Sequence, residues 1–158
     1  QMRQGESKLL IEARQQTYYA TLMAQACLKG GQTEHAHSVL TKELERVRDN
    51  GVRYYEAELH RIKGEVLLRR SASSRKEAET CFHTAIDLSH DQVAKSLELR
   101  AIMSLSDLWQ KQGKKEEARR MLQDIYSWFT EGFDTADLKQ AKQLLNAFSG
   151  RTRLQAPE

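Results

Sequence analysis

Residues 106–122, SDLWQKQGKKEEARRML, decide the fold. Ser106 and Ala118 are small residues twelve positions apart with Gly113 between them. The segment reads as the end of one amphipathic helix, a glycine turn and the start of a second. The arrangement recurs upstream as Ala24 and Ala36 around Gly31, and as Gly64 with Ala78. From Ala24 to Gly64 is 40 residues and from Gly64 to Ser106 is 42, a repeat period of about 40. A residue with little side chain lets the second helix lie close to the first, with larger neighbours fitting as ridges into grooves. Glycine in a helix interior costs roughly 1 kcal/mol against alanine, so Gly64 implies a close crossing there. The ladder of small residues predicts an all-α, right-handed solenoid of helical hairpins stacked neighbour on neighbour.

Working outward, three hairpins are expected over about residues 7–49, 53–90 and 93–129. A capping helix over about 135–148 completes a single domain spanning 1–148, and 149–158 reads as a flexible tail. Gly30 and Gly31 end the first helix, Thr33 is expected to cap the second, and Asn50-Gly51 closes it. Ser74 with Glu77 reads as a capping box, and Asp134 or Thr135 as the cap of the last helix. The core stripes are expected as Ala36, Val39, Leu40, Leu44 and Val47; Tyr55, Leu59, Ile62 and Val66; Ala78, Phe82, Ala85 and Ile86; Ala118, Leu122 and Ile125; then Leu138, Ala141, Leu144, Leu145 and Phe148. Trp109 is expected in the core, as are Tyr126, Trp128, Phe129 and Phe133 around the seat of the final helix.

Composition narrows the class of function. One proline among 158 residues leaves long segments unbroken, and Ala, Leu, Glu, Gln, Lys and Arg favour helix. Twenty-five basic and 22 acidic residues are interleaved, for a net charge of +3. That mixture lacks the basic stripe phosphates require, so no direct nucleic-acid partner is expected. No apolar run approaches the ~20 residues that span a bilayer. Residues 1–6 show no leader pattern. No membrane association is expected, and a cytoplasmic location is. Cys27 and Cys81 fall inside helical patterns, as reduced thiols packed like small hydrophobes would. His35, His37, His60, His83 and His90 include no i, i+4 pair, and no Cys-x-x-Cys occurs, so neither metal nor cofactor is expected. The first helix reads as internal, which predicts a fragment of a larger protein.

The order of small residue, glycine turn, alanine and then Leu or Phe four residues on resembles the tetratricopeptide repeat. It is carried by Ala24, Gly31, Ala36 and Leu40, by Gly64, Ala78, Phe82 and Ala85, and by Ser106, Gly113, Ala118 and Leu122. That family's unit is ~34 residues, so these units are longer, with the extra length between one hairpin and the next. The second unit lacks the loop glycine and carries two extra residues. The stretches RYYEAELHRIKGEVLLR (53–69), KSLELRAIMSLSDLWQKQGKKEEARRML (95–122) and YSWFTEGFDTADLKQAKQLL (126–145) look like the C-terminal region of large multidomain bacterial signalling proteins. There an ATPase module precedes the repeats, after an adenylate or other nucleotidyl cyclase domain or beside a LuxR-type DNA-binding domain. The resemblance covers about Thr17 to Phe148 and implies a non-catalytic interaction or sensor domain, with any cyclase or ATPase motif upstream. Within these residues no phosphate-binding glycine loop or acidic metal site occurs.

In tetratricopeptide repeats first-helix positions line the inner surface, which implies Tyr18, Thr21 and Gln25, then Glu58, Arg61 and Glu65, then Arg100, Met103 and Asp107 as binding residues here. Their mixed charge suits an extended peptide, a partner protein or the parent protein's own ATPase module. Two other readings stay open: a small-molecule effector domain, and an oligomerisation spacer that forms a homodimer through an apolar first helix. His60 and Lys63 are the sharpest local anomaly, because aligned units place Ala20 and Ile102, and Met23 and Leu105, in their slots. Either the third helix is rotated, with His60 hydrogen-bonded and Lys63 in solvent, or the two form a polar pocket. In that pocket Glu56 or Glu65, extended by Arg100, would hold an anion or small ligand.

Overall fold

A computed structural model describes residues 2–150. These form seven α-helices and no strand among the described residues: α1 (Met2–Lys29), α2 (Thr33–Asn50), α3 (Glu56–Arg70), α4 (Arg75–Asp91), α5 (Lys95–Lys111), α6 (Lys115–Trp128) and α7 (Ala136–Gly150). A 3-10 turn over Ala72–Ser74 joins α3 to α4 where the second unit lacks its glycine. α1 starts five residues before the expected Ser7, and Ser149 and Gly150 belong to α7 instead of a tail. The rest of the expected tail, 151–158, lies outside the described residues.

Each odd helix packs on the even helix that follows, and also on the next odd helix: α1 on α3, α3 on α5, α5 on α7. Among the described residues α2, α4 and α6 touch only their neighbours in sequence. The small-residue ladder sits at the crossings. Ala24, Ala36, Ala78, Ser106 and Ala118 are 0% exposed and Gly64 is buried. A Cβ built on Gly64 would lie 2.5 Å from Cε1 of Phe82 on α4, closer than real Cβ atoms come. At the next crossing the Ser106 hydroxyl donates to the Ala118 carbonyl at 3.4 Å.

Three apolar clusters run along the row. Ala24, Leu40 and Val47 are closed over by Leu59, Ile62 and Val66 of α3. Leu67, Cys81 and Phe82 are closed over by Leu105 and Leu108 of α5. Leu99, Ile102, Leu122 and Ile125 are closed over by Leu138, Ala141 and Phe148 of α7. Each hairpin's core is thus sealed by the following odd helix, which is why α3 buries residues on nearly every side. Cys27 and Cys81 are free thiols.

The turns replace the expected side-chain caps with backbone bonds. Gln32, Ala94 and Lys114 each donate an N–H five residues back, to Cys27, Ser89 and Trp109, at 2.8–2.9 Å. This is the helix-ending motif that places a left-handed residue just before the donor. Gly31 and Gly113 fill that position at φ of +75° and +83°, but at the third site it is Val93, at φ +54°. Because the same short turn ends one helix and starts the next, Gln32 and not Thr33 occupies the N-terminal flank of α2. Neither it nor Ser74 makes a side-chain cap bond. Ser71 instead accepts from the Ser73 N–H inside the 3-10 turn, and the Thr135 hydroxyl donates back to the Gly132 carbonyl.

The core stripes need three corrections. On α2, Glu43 is buried while Val39 and Leu44 are only partly so, because Arg46 folds over Glu43 and reaches Thr17 Oγ1 (2.8 Å) and the Ala13 carbonyl (3.1 Å) of α1. Trp128 and Phe133 are exposed, and only Tyr126 and Phe129 pack on the core. Trp109 is half-buried, its indole N–H donating to Glu79 Oε1 at 2.7 Å. That bond, ahead of the opposing effect of burial, holds the Glu79 carboxyl below its usual range, with help from Lys114.

Candidate functional site

All nine first-helix residues singled out in the sequence line one groove of about 800 Å³ along the odd helices. The row of α1, α3 and α5 forms its floor, and α7 closes one end through Asp137, Gln140 and Gln143. Within it the nine play different parts. Thr21, Glu58, Arg61 and Met103 are buried in the floor, Gln25, Glu65 and Arg100 are half-buried, and Tyr18 and Asp107 are exposed.

The polar residues of the floor form one connected network. Arg61 Nε donates to Glu58 Oε2 at 2.9 Å and its Nη2 to Glu58 Oε1 at 2.7 Å, a forked pair within α3. Its Nη1 bonds Glu65, which also accepts from the Ser104 hydroxyl of α5 at 3.0 Å. Gln25 of α1 donates to Glu58 at 3.0 Å, Arg100 of α5 comes within 3.6 Å of the same carboxylate, and Arg100 Nε donates to Asp137 of α7 at 2.7 Å. Four helices are therefore linked through one chain of charge-assisted hydrogen bonds and an ion pair. Burial opposes the charge on Arg61, but Glu58, through hydrogen bonds and Coulombic attraction, with Glu65 and Asp137 behind it, outweighs that and raises its pKa. No buried side-chain polar atom among the described residues is left without a partner.

The groove's charged lining balances, with Lys29, Arg61, Arg69 and Arg100 against Glu58, Glu65, Asp107 and Asp137. Sequence reasoning missed Asp137 and Ser104, and took Tyr55 for a core residue, whereas it is half-buried and lines the groove. Asp137 lies on α7, outside the repeat units onto which the inner-surface positions were mapped, Ser104 lies between two of those positions, and Tyr55 lies about one turn before the first of its unit.

His60 and Lys63 lie elsewhere. They line an open depression of about 590 Å³ with Thr41, Leu44, Arg53 and Glu56, between α2 and the start of α3. His60 Nε2 is 3.9 Å from Glu56 Oε1. Of the partners expected there, Glu56 lines the depression with them, whereas Glu65 and Arg100 belong to the groove. The helical turn explains it: Glu65 is five residues beyond His60, which carries it to the opposite face of α3. Burial, followed by the positive charges of Lys63 and Arg53, pushes the His60 pKa down against the pull of Glu56. Among the described residues no cluster of three or more His, Cys, Asp or Glu is placed to hold a metal ion, and no helix is long and apolar enough to cross a membrane.

Compared with known proteins, the chain matches no family model, and no curated protein or solved structure is significantly similar to it.

Proposed function

We propose that this chain is a tetratricopeptide-like solenoid segment, serving as a non-catalytic interaction or sensor domain of a multidomain bacterial signalling protein. Its groove holds an extended stretch of a partner protein or of the parent ATPase module. One observation carries the reading: five of the groove's charged residues, Glu58, Arg61, Glu65, Arg100 and Asp137, are joined with Gln25 and Ser104 in one network across four helices before any ligand arrives. A surface already ordered in this way loses little conformational entropy on binding, and its open length suits an extended chain better than a compact metabolite. A segment lying from α1 to α7 would resist movement of one hairpin against the next, which gives occupancy a route to the rest of the parent protein.

Crosslinking capture from bacterial lysate tests it, using the chain beside Asp107→Lys/Gln143→Lys, both exposed groove positions, and Lys42→Glu on the outer helix α2. The expected result is a protein crosslinked to groove residues, lost with the groove variant and kept with the outer one. Capture unchanged by the groove variant overturns the reading.

A second reading, a self-associating spacer, is favoured by Tyr19, Leu22 and Met23, which are 65%, 44% and 53% exposed. Counted from the small-residue ladder, they stand in the slots of Leu59, Ile62 and Lys63 on α3, and the first two of those slots seal the preceding hairpin. Sedimentation equilibrium at rising concentration decides it: a mass that stays at one chain counts against a homodimer through α1.

A further inference from the structure

Four of the chain's five tyrosines gather in one run, the middle two of which, Tyr18 and Tyr55, line the edge of the groove. Tyr19, Tyr18, Tyr55 and Tyr54 form a continuous run of rings, with successive centroids 5.9, 5.5 and 4.8 Å apart. Two come from α1 and two from the segment leading into α3, so the run bridges the first two hairpins. The Arg14 guanidinium lies 4.2 Å over the Tyr54 ring and holds its far end. Tyr18, Tyr19 and Tyr54 are 44%, 65% and 52% exposed, which leaves a contiguous aromatic surface open to a partner. Tyr18 and Tyr55 line both the main groove and a smaller apolar recess of about 340 Å³ with Ile11, Arg14 and Gln15.

We infer that this tyrosine lip binds a proline-rich segment in the polyproline II conformation, and that it forms the entry of the groove. The inference rests on the groove being a binding surface for an extended chain, and names the chemistry of that chain. Tilted aromatic rings offer flat faces to pyrrolidine rings, and exposed phenol hydroxyls can donate to the carbonyls that a polyproline II helix leaves unbonded. Charge agrees. Arg61 is met by Glu58 and Glu65, and Arg100 by Asp137, so the groove behind the lip complements an uncharged segment better than an acidic or a basic one. A proline-rich chain is already extended before it binds, which lowers the ordering cost that a flexible peptide would meet in so open a site.

Fluorescence anisotropy with fluorescein-labelled decaproline, beside a Gly-Ser peptide of equal length, tests the inference on the whole chain. Decaproline is expected to bind and the Gly-Ser peptide not to. Tyr18→Ala/Tyr54→Ala is expected to weaken binding by about tenfold or more. Trp128→Ala, which removes an exposed aromatic at the other end of the molecule, is expected to change nothing. Tyr18→Phe/Tyr54→Phe keeps the rings and the packing, and is expected to lose a smaller share, through the hydroxyls alone. If the alanine variant fails to fold, decaproline-induced NMR shifts in the unaltered chain serve instead, and they are expected at Tyr18, Tyr19, Tyr54 and Tyr55. No decaproline binding, equal binding of the Gly-Ser peptide, or shifts away from these four residues overturns the inference. In that event a partner still captured through Asp107 and Gln143 would leave the groove reading standing, so the two fail separately.

Discussion

Gly64→Ala is the substitution that most directly tests how the hairpins are held. In an ordinary helix interior the change would stabilise by about 1 kcal/mol, since glycine is the poorer helix former. Here the added methyl would sit 2.5 Å from Cε1 of Phe82 and 2.9 Å from its Cδ1 and Cζ. Phe82 is 0% exposed, enclosed by Leu67, Ala78 and Leu105, so its ring has no open direction in which to retreat. Overpacking of this kind costs about 1–3 kcal/mol. Set against the helix gain, the net effect is a loss of about 1 kcal/mol, or some 2–4 °C in Tm for a domain of this size. Gly64→Leu adds three more carbons at the same point and is expected to open the α3–α4 hairpin. Urea denaturation followed by far-ultraviolet circular dichroism measures the loss, and Phe82→Leu completes a double-mutant cycle. If the close approach is the cause, Gly64→Ala should cost much less in the Phe82→Leu background, a coupling of about 1 kcal/mol. A Gly64→Ala protein more stable than the parent, or a cycle with no coupling, would refute the crossing argument.

Three further predictions follow from particular residues. Val93 holds φ +54° where equivalent turns carry glycine, and is 72% exposed, so Val93→Gly relieves strain without uncovering core. The relief of about 1–2 kcal/mol exceeds the glycine entropy of about 0.5–1, and Tm by calorimetry should rise. Arg61→Met removes the partner of Glu58, whose side chain is 4% exposed, and should destabilise by about 3 kcal/mol in urea; adding Glu58→Gln should restore part of that. The His60 pKa is lowered in the folded chain from the ordinary 6.5, so the unfolded chain binds a proton there that the folded chain refuses. That contribution to stability is complete above pH 6.5 and is lost as pH falls from 6.5 toward the folded value. His60→Gln should flatten the pH dependence of stability in that window, which titration of Tm from pH 5 to 8 would read.

Much of this architecture was legible in the one-dimensional pattern. The spacing of Ala24, Gly64 and Ser106 against Ala36, Ala78 and Ala118 determined by itself that helices would pair and where they would cross. Only a small residue permits two helix backbones to approach so closely, and that constraint is local to each hairpin. The nine first-helix residues named through the resemblance to a known repeat fall on one surface, because residues at matching places in a repeat face the same way when the repeats line up. The tertiary structure alone decided what those residues do there. That Glu58 is buried beneath Arg61, that Arg100 turns to Asp137 of α7, and that Tyr54 and Tyr55 meet Tyr18 and Tyr19 are contacts between helices, set by rotations that no spacing records. His60 and Lys63 show the limit most clearly. Of the two carboxylates the sequence offered them, Glu56 stands beside them and Glu65 does not, since five residues along a helix carry a side chain to the opposite face, and only the packed neighbours show which face is groove and which is outer wall.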